Sequence, residues 1–150
     1  MKRLTVTIVT VLAALALVAV PGQAEALTPH RYSAEAFHST NVHRVAHHER
    51  RLKYGPCLKR YANYQARRMA RQHRMFHQAL RPILRACHLT VVGENVAFGY
   101  KNGWRVVNQG WMHSPEHRRN ILDKRFGRLA IGAARDSRGV WYVSQVLGRH

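Results

Sequence analysis

The chain has 150 residues, enough for one domain and too few for two of ordinary size. Lys plus Arg number 25 against 7 Asp plus Glu, a formal charge of +18, and twenty of the cations are arginine, the form best suited to pairing with carboxylate or phosphate. A hydrophobic content of 46% excludes a disordered basic tail, and seven carboxylates exclude a site that needs several of them.

In chain order, Met1-Lys2-Arg3 is a short positive start and Leu4 to Val20 is an apolar run without a charge. Pro21-Gly22 breaks it, and Ala24-Glu25-Ala26 offers small residues where a signal peptidase cuts. This order predicts a secretory signal peptide over residues 1–26 and a mature chain beginning near Leu27. That mature chain carries 23 basic and 6 acidic residues and has no second apolar run long enough to span a bilayer. It is therefore expected to be secreted, with no transmembrane span.

Residues 27–38 read as an N-terminal lead-in. A helical pattern runs from Ser33 to about Lys53, with Phe37, Val42, Val45 and Leu52 as its apolar members, and Tyr54-Gly55-Pro56 stops it. A second helix is predicted from Cys57 to Met75. Leu58, Tyr61, Ala62, Ala66, Met69 and Ala70 recur at three- and four-residue steps, opposite a solvated face of Arg67, Arg71 and Arg74. Residues 79 to 86 suit a short helix around Pro82. Val91, Val92, Val96 and Phe98 around Gly93-Glu94-Asn95 read as a strand with a polar insert. After the Asn102-Gly103 turn, Trp104, Val107 and Trp111 return at helical spacing, and Ser114-Pro115 starts another helix with Ser114 as N-cap. Leu129–Ala133 and Val140–Leu147 form a hairpin turned by Asp136-Ser137-Arg138-Gly139. Helices first, then mixed strands and helices, give an α+β fold with the helices packed over a small, mostly antiparallel sheet.

Export gives the only two cysteines their meaning. An oxidising compartment favours a Cys57–Cys87 disulfide, and two distant thiols without a Cys-x-x-Cys make a catalytic or metal-binding thiolate the weaker alternative. Three residues stand out for chemistry. His77 lies where an apolar run meets a turn. His117 lies in the first turn of a helix, whose exposed amides disfavour a charged imidazole. Glu94 is a carboxylate in an apolar strand, which costs several kcal/mol unless it is hydrogen-bonded, paired or metal-bound. Two imidazoles and a carboxylate can bind zinc with one position open, although His77-x16-Glu94-x22-His117 is no short metal signature. The plainer reading is that Glu94 accepts hydrogen bonds from backbone amides and a histidine and holds loops together. A nucleophilic Ser114 is set aside, because the capping role accounts for it and no G-x-S-x-G surrounds it.

Gly93-Glu94-Asn95-Val96-Ala97, followed by Trp111-Met112-His113-Ser114-Pro115-Glu116-His117-Arg118-Arg119-Asn120-Ile121-Leu122, resembles the paired signature of the CAP superfamily. This group comprises the cysteine-rich secretory, antigen 5 and pathogenesis-related 1 proteins and is also called SCP-like. Asn41-x-x-Arg44, His77 after Phe76, and Trp141-Tyr142-Val143-Ser144-Gln145-Val146 extend the likeness, which places such a domain at residues 39–148. The resemblance implies an α-β-α sandwich, secretion, and a central cleft of two histidines and two glutamates. Asn95, Trp111, Ser114, Arg118 and Asn120 support the motif. His77, Glu94 and His117 match three cleft positions, with the histidines as ligands of Zn2+ or another divalent cation. Residues 78 to 93 hold no Asp or Glu for the fourth, where His88 is the only stand-in, and the glycine expected after the first helix's arginine is replaced near His48-Glu49.

One carboxylate leaves too few groups for a convincing hydrolase, so a non-enzymatic binding module is the favoured function. Its expected partner is an anionic cell-wall polymer, lipid headgroups or another protein. Nucleic acid is not expected physiologically for an exported chain. The alternative is a metal-dependent extracellular hydrolase using Glu94 and His117.

Overall fold

The computed structural model describes residues 26–150, so the expected signal peptide lies outside the described residues apart from Ala26. Among the described residues, five α-helices are arranged about both faces of a four-stranded mixed sheet. The helices are α1 (Pro29–Ala46), α2 (Pro56–Gln72), α3 (Leu80–Ala86), α4 (Gly103–Arg105) and α5 (Pro115–Leu122). The strands are β1 (Lys53–Tyr54), β2 (Val91–Phe98), β3 (Arg128–Arg135) and β4 (Trp141–Arg149), in the order β1-β3-β4-β2. β1 runs parallel to β3 and the other pairings are antiparallel.

The alternation of side chains along the strands explains the three layers. Leu129, Ile131, Ala133, Val143 and Leu147 face one core with Tyr32 and Ala36 of α1, Trp111, and Ile121 of α5. Ala130 and Val146 face the other way, onto Leu58 and Ala62 of α2 and Ile83 of α3. Gly132 sits where α2 crosses β3. A Cβ there would lie 2.2 Å from the carbonyl of Ala62, so only glycine admits the helix this close.

The first helix differs from its predicted bounds. It starts at Pro29, with the Thr28 side chain accepting from Arg31 N–H at 3.1 Å, so the expected lead-in already contains its opening turns. It also ends at Ala46 instead of Lys53. His48 takes a left-handed conformation (φ 60°) while Glu49 N–H donates to Arg44 O at 2.8 Å, a reverse turn of the Schellman type that replaces the glycine expected there. His73 (φ 49°) and His88 (φ 52°) terminate α2 and α3 in the same way. Three of the eleven histidines are thus helix stops. Val42 and Val45 turn outward, 41% and 49% exposed, whereas Ser39, Thr40, Asn41 and Arg44 are buried.

The predicted helix around Trp104–Trp111 is irregular. α4 runs on into a π-helical turn (Val106–Gly110) and a 3-10 turn (Trp111–His113). The hairpin forms as expected, with Gly139 at φ 81°. Asp136 organises it, accepting from Arg138 N–H, Val140 N–H, the Arg138 guanidinium and His73.

Cys57 and Cys87 form the disulfide across 30 residues, joining the start of α2 to the end of α3. Closing that loop stabilises the fold by about 3–4 kcal/mol in the chain-entropy model. A Cys57→Ala/Cys87→Ala variant should lose about that much in a urea titration. A loss well under 1 kcal/mol would mean that the packing of Ile83 and Leu89 against α2 already fixes α3.

Candidate functional site

Glu94 lies near the middle of β2, on the face covered by α2, and its side chain is 1% exposed. Its carboxylate is saturated with donors. Oε2 accepts from His77 Nδ1 at 2.9 Å and from Gln78 N–H at 3.2 Å. Oε1 accepts from the Gln78 side-chain amide at 2.6 Å and from Ser144 Oγ at 2.9 Å. One buried charge therefore joins β2, β4 and the 73–79 loop. The loop is held independently, because buried Gln65 of α2 donates to Phe76 O, and the Phe76 ring is flanked by the guanidinium groups of Arg68 and Arg74. Gln78 carried no signal in the sequence, since a donor to a buried carboxylate has no characteristic spacing.

The next residue along β2 points to the opposite face and ties the second helical layer. Asn95 donates to His117 O at 3.1 Å and to Gln145 Oε1 at 2.7 Å, and accepts from Asn120 at 2.9 Å. Asn120 also donates to the backbone carbonyl of Glu94, and Gln145 passes the chain on to Thr40 of α1. Trp111 is buried and donates to Val96 O at 3.3 Å. Arg118 donates to His47, binding α5 to the end of α1. Ser114 has the extended backbone of an N-cap, but its side chain makes no capping hydrogen bond.

The histidines divide. His77 is paired with Glu94 through Nδ1, which carries the proton opposite a carboxylate, while the ring is 59% exposed. His117 is half-buried, and burial, followed by the neighbouring His77, holds it below the usual imidazole range, so it is neutral at pH 7. It borders a hollow of about 240 Å3 lined with Met75, Phe98, Tyr100 and Trp111, which His77 and Glu94 do not line. His88 is exposed at the end of α3 and makes no hydrogen bond to Glu94.

This arrangement does not fit a three-ligand metal centre. Among the described residues no three His, Cys, Asp or Glu side chains stand together as a metal-holding group, and both Glu94 oxygens are occupied. His77 and His117 are near enough to influence one another electrostatically, and Glu94 accepts from the His77 ring and fixes its orientation.

Residues 37–147 match the family described as CAP, the cysteine-rich secretory protein family. Among solved structures, an extracellular SCP-domain protein from Bacillus anthracis str. Ames superposes with a TM-score of 0.70 at 23% identity, over 83% of this chain and 44% of that one. An outer surface protein from Borrelia burgdorferi gives 0.69 at 16% identity, over 76% and 89%. A cysteine-rich secretory protein from Staphylococcus aureus gives 0.69 at 20% identity, over 85% and 40%. The chain thus spans less than half the length of two of the three. No curated protein sequence matches it significantly.

Proposed function

This chain belongs to the cysteine-rich secretory protein (CAP) family, and from that premise we propose that it is a secreted, non-enzymatic binding module for an anionic partner at a cell surface: a wall polymer, lipid headgroups or another protein. The observation that carries this reading is the segregation of charge. Residues 50–93 hold eleven Lys and Arg and no carboxylate. Among the described residues, no Lys or Arg of α2 takes part in an ion pair. Such a face concentrates anions near it and speeds their association. No described helix is long and apolar enough to cross a membrane.

The cleft supports binding over turnover. With both Glu94 oxygens engaged, a hydrolase built on Glu94 and His117 lacks a free carboxylate base. A divalent cation, Zn2+ or another, would be held by His77 and His117 alone, a donor set of modest affinity.

The His77→Ala/His117→Ala variant should bind each anionic probe, immobilised polyphosphate or phosphatidylglycerol vesicles, as tightly or as weakly as the oxidised mature chain binds that probe. Loss of binding in the variant would move the functional site into the cleft and sink the basic-face reading.

A further inference from the structure

We propose that the groove between α2 and β3 is a binding site for an extended, phosphate-bearing polyanion strand. Two hollows, of about 460 and 370 Å3, adjoin at Arg67, Ala134 and Arg135. One wall is a face of α2 on which Lys59, Asn63, Arg67 and Arg71 follow at four-residue intervals, roughly 6 Å apart along the axis. The opposite wall is the β3 end of the hairpin, with Arg135.

Two of these cations are held in place before any ligand arrives. Lys59 Nζ donates to Ile131 O at 2.6 Å, and the Arg135 guanidinium stacks over Trp141 while its Nε donates to Gly139 O. Lys59 is half-buried without a carboxylate partner, and burial alone presses its charge down, a cost that a bound anion offsets. The single carboxylate on the groove, that of Asp136, is inaccessible and already committed to His73 and Arg138. Guanidinium groups engage phosphate oxygens in bidentate pairs, and a row of them fits a regularly charged strand.

An acidic peptide would be expected to add to the β3 edge, which β1 leaves unpaired beyond Leu129 among the described residues. That route is closed. Ile131 and Ala133 are 2% and 7% exposed, and the Ile131 carbonyl is already taken by Lys59. A concave groove likewise does not present its cations to a flat bilayer. This assignment rests on the anionic-partner reading and names the partner's chemistry.

The test is equilibrium binding of the oxidised mature chain to long-chain inorganic polyphosphate, to polyglutamate of matched charge, and to phosphatidylglycerol vesicles. Arg67→Gln/Arg71→Gln/Arg135→Gln is compared with Arg81→Gln/Arg85→Gln/Arg119→Gln, which removes equal charge elsewhere. The groove variant should lose about tenfold or more in polyphosphate affinity, with a log–log salt slope shallower by about 3, while the control changes by no more than about threefold. If the triple variant misfolds, Arg67→Gln/Arg71→Gln, which breaks no hydrogen bond or ion pair, carries the test with a slope change of about 2. Equal losses in groove and control variants would overturn the groove while leaving the anionic-partner reading standing. Polyglutamate or vesicles bound as tightly through the same residues would overturn the phosphate assignment. Failure of the unmodified chain to bind any of the three would defeat both readings.

Discussion

Replacing Arg44 by methionine should destabilise the protein by about 3–5 kcal/mol, the scale expected when several hydrogen bonds to a charged group are lost together. Arg44 is 1% exposed, and its charge is spent almost entirely on backbone carbonyls. Nε donates to Arg50 O at 2.7 Å, and one terminal nitrogen donates to Ile121 O at 2.7 Å and Asp123 O at 3.0 Å, with Glu49 at 3.9 Å. A single side chain therefore joins α1, the turn that follows it and the end of α5. Methionine keeps most of the volume but removes the donor to Arg50 O and the buried Ile121 O, and leaves Asp123 O with Phe126 N–H alone at 3.3 Å. Arg44→Lys, with one point charge in place of a fork, should recover only part of the loss. Urea titration by circular dichroism reads both, and a methionine variant within 1 kcal/mol of the parent would show that the helix–helix contacts suffice without the charge.

Glu94→Ala should cost a similar amount, about 3 kcal/mol or more, because the buried Ser144 hydroxyl and the half-buried Gln78 amide would lose their acceptor and face an apolar methyl. Glu94→Gln is the sharper experiment. Its amide preserves the shape but replaces one acceptor oxygen by a donor in a position already surrounded by four donors, so about 1–3 kcal/mol is still lost. The His77 ring should also lose its orientation, visible as a changed imidazole chemical shift. A glutamine variant as stable as the parent, with His77 unmoved, would mean that the charge on Glu94 does not hold the loop.

The regular parts of the fold were legible for a physical reason. α2 buries Leu58, Ala62, Ala66, Met69 and Ala70 at the helical period, and β2, β3 and β4 are short runs buried on both faces and bounded by turn residues, so the pattern and the structure coincide. α1 did not read clearly because its buried face is largely Ser33, Ser39, Thr40, Asn41 and Arg44, whose burial depends on partners far away in sequence. Val42 and Val45 then drew the apolar stripe onto the wrong side. β1 is too short to carry a period, and its two residues form a strand only because β3 lies beside them. The π-helical turn at 106–110 keeps Trp111 buried while shifting its register, which helical spacing alone does not reveal. At the cleft, the pairing of His77 with Glu94 followed from a carboxylate that needed a partner. Gln78 and Ser144, which complete its shell, left no trace in the spacing. His117 stands near enough to His77 for the two rings to interact, and it lines a neighbouring hollow that no spacing announced.

The central claim is that this protein works through the charge on its α2 face. The most direct measurement is the affinity of the oxidised mature chain for an anionic surface, taken as a salt series from about 50 to 200 mM, over which several phosphate contacts lose orders of magnitude in affinity. A log–log plot that falls linearly and steeply, with affinity down by about a hundredfold or more across the series, is the predicted result. Binding that stays level over the same range would contradict it and place recognition in the apolar or hydrogen-bonding surfaces of the cleft.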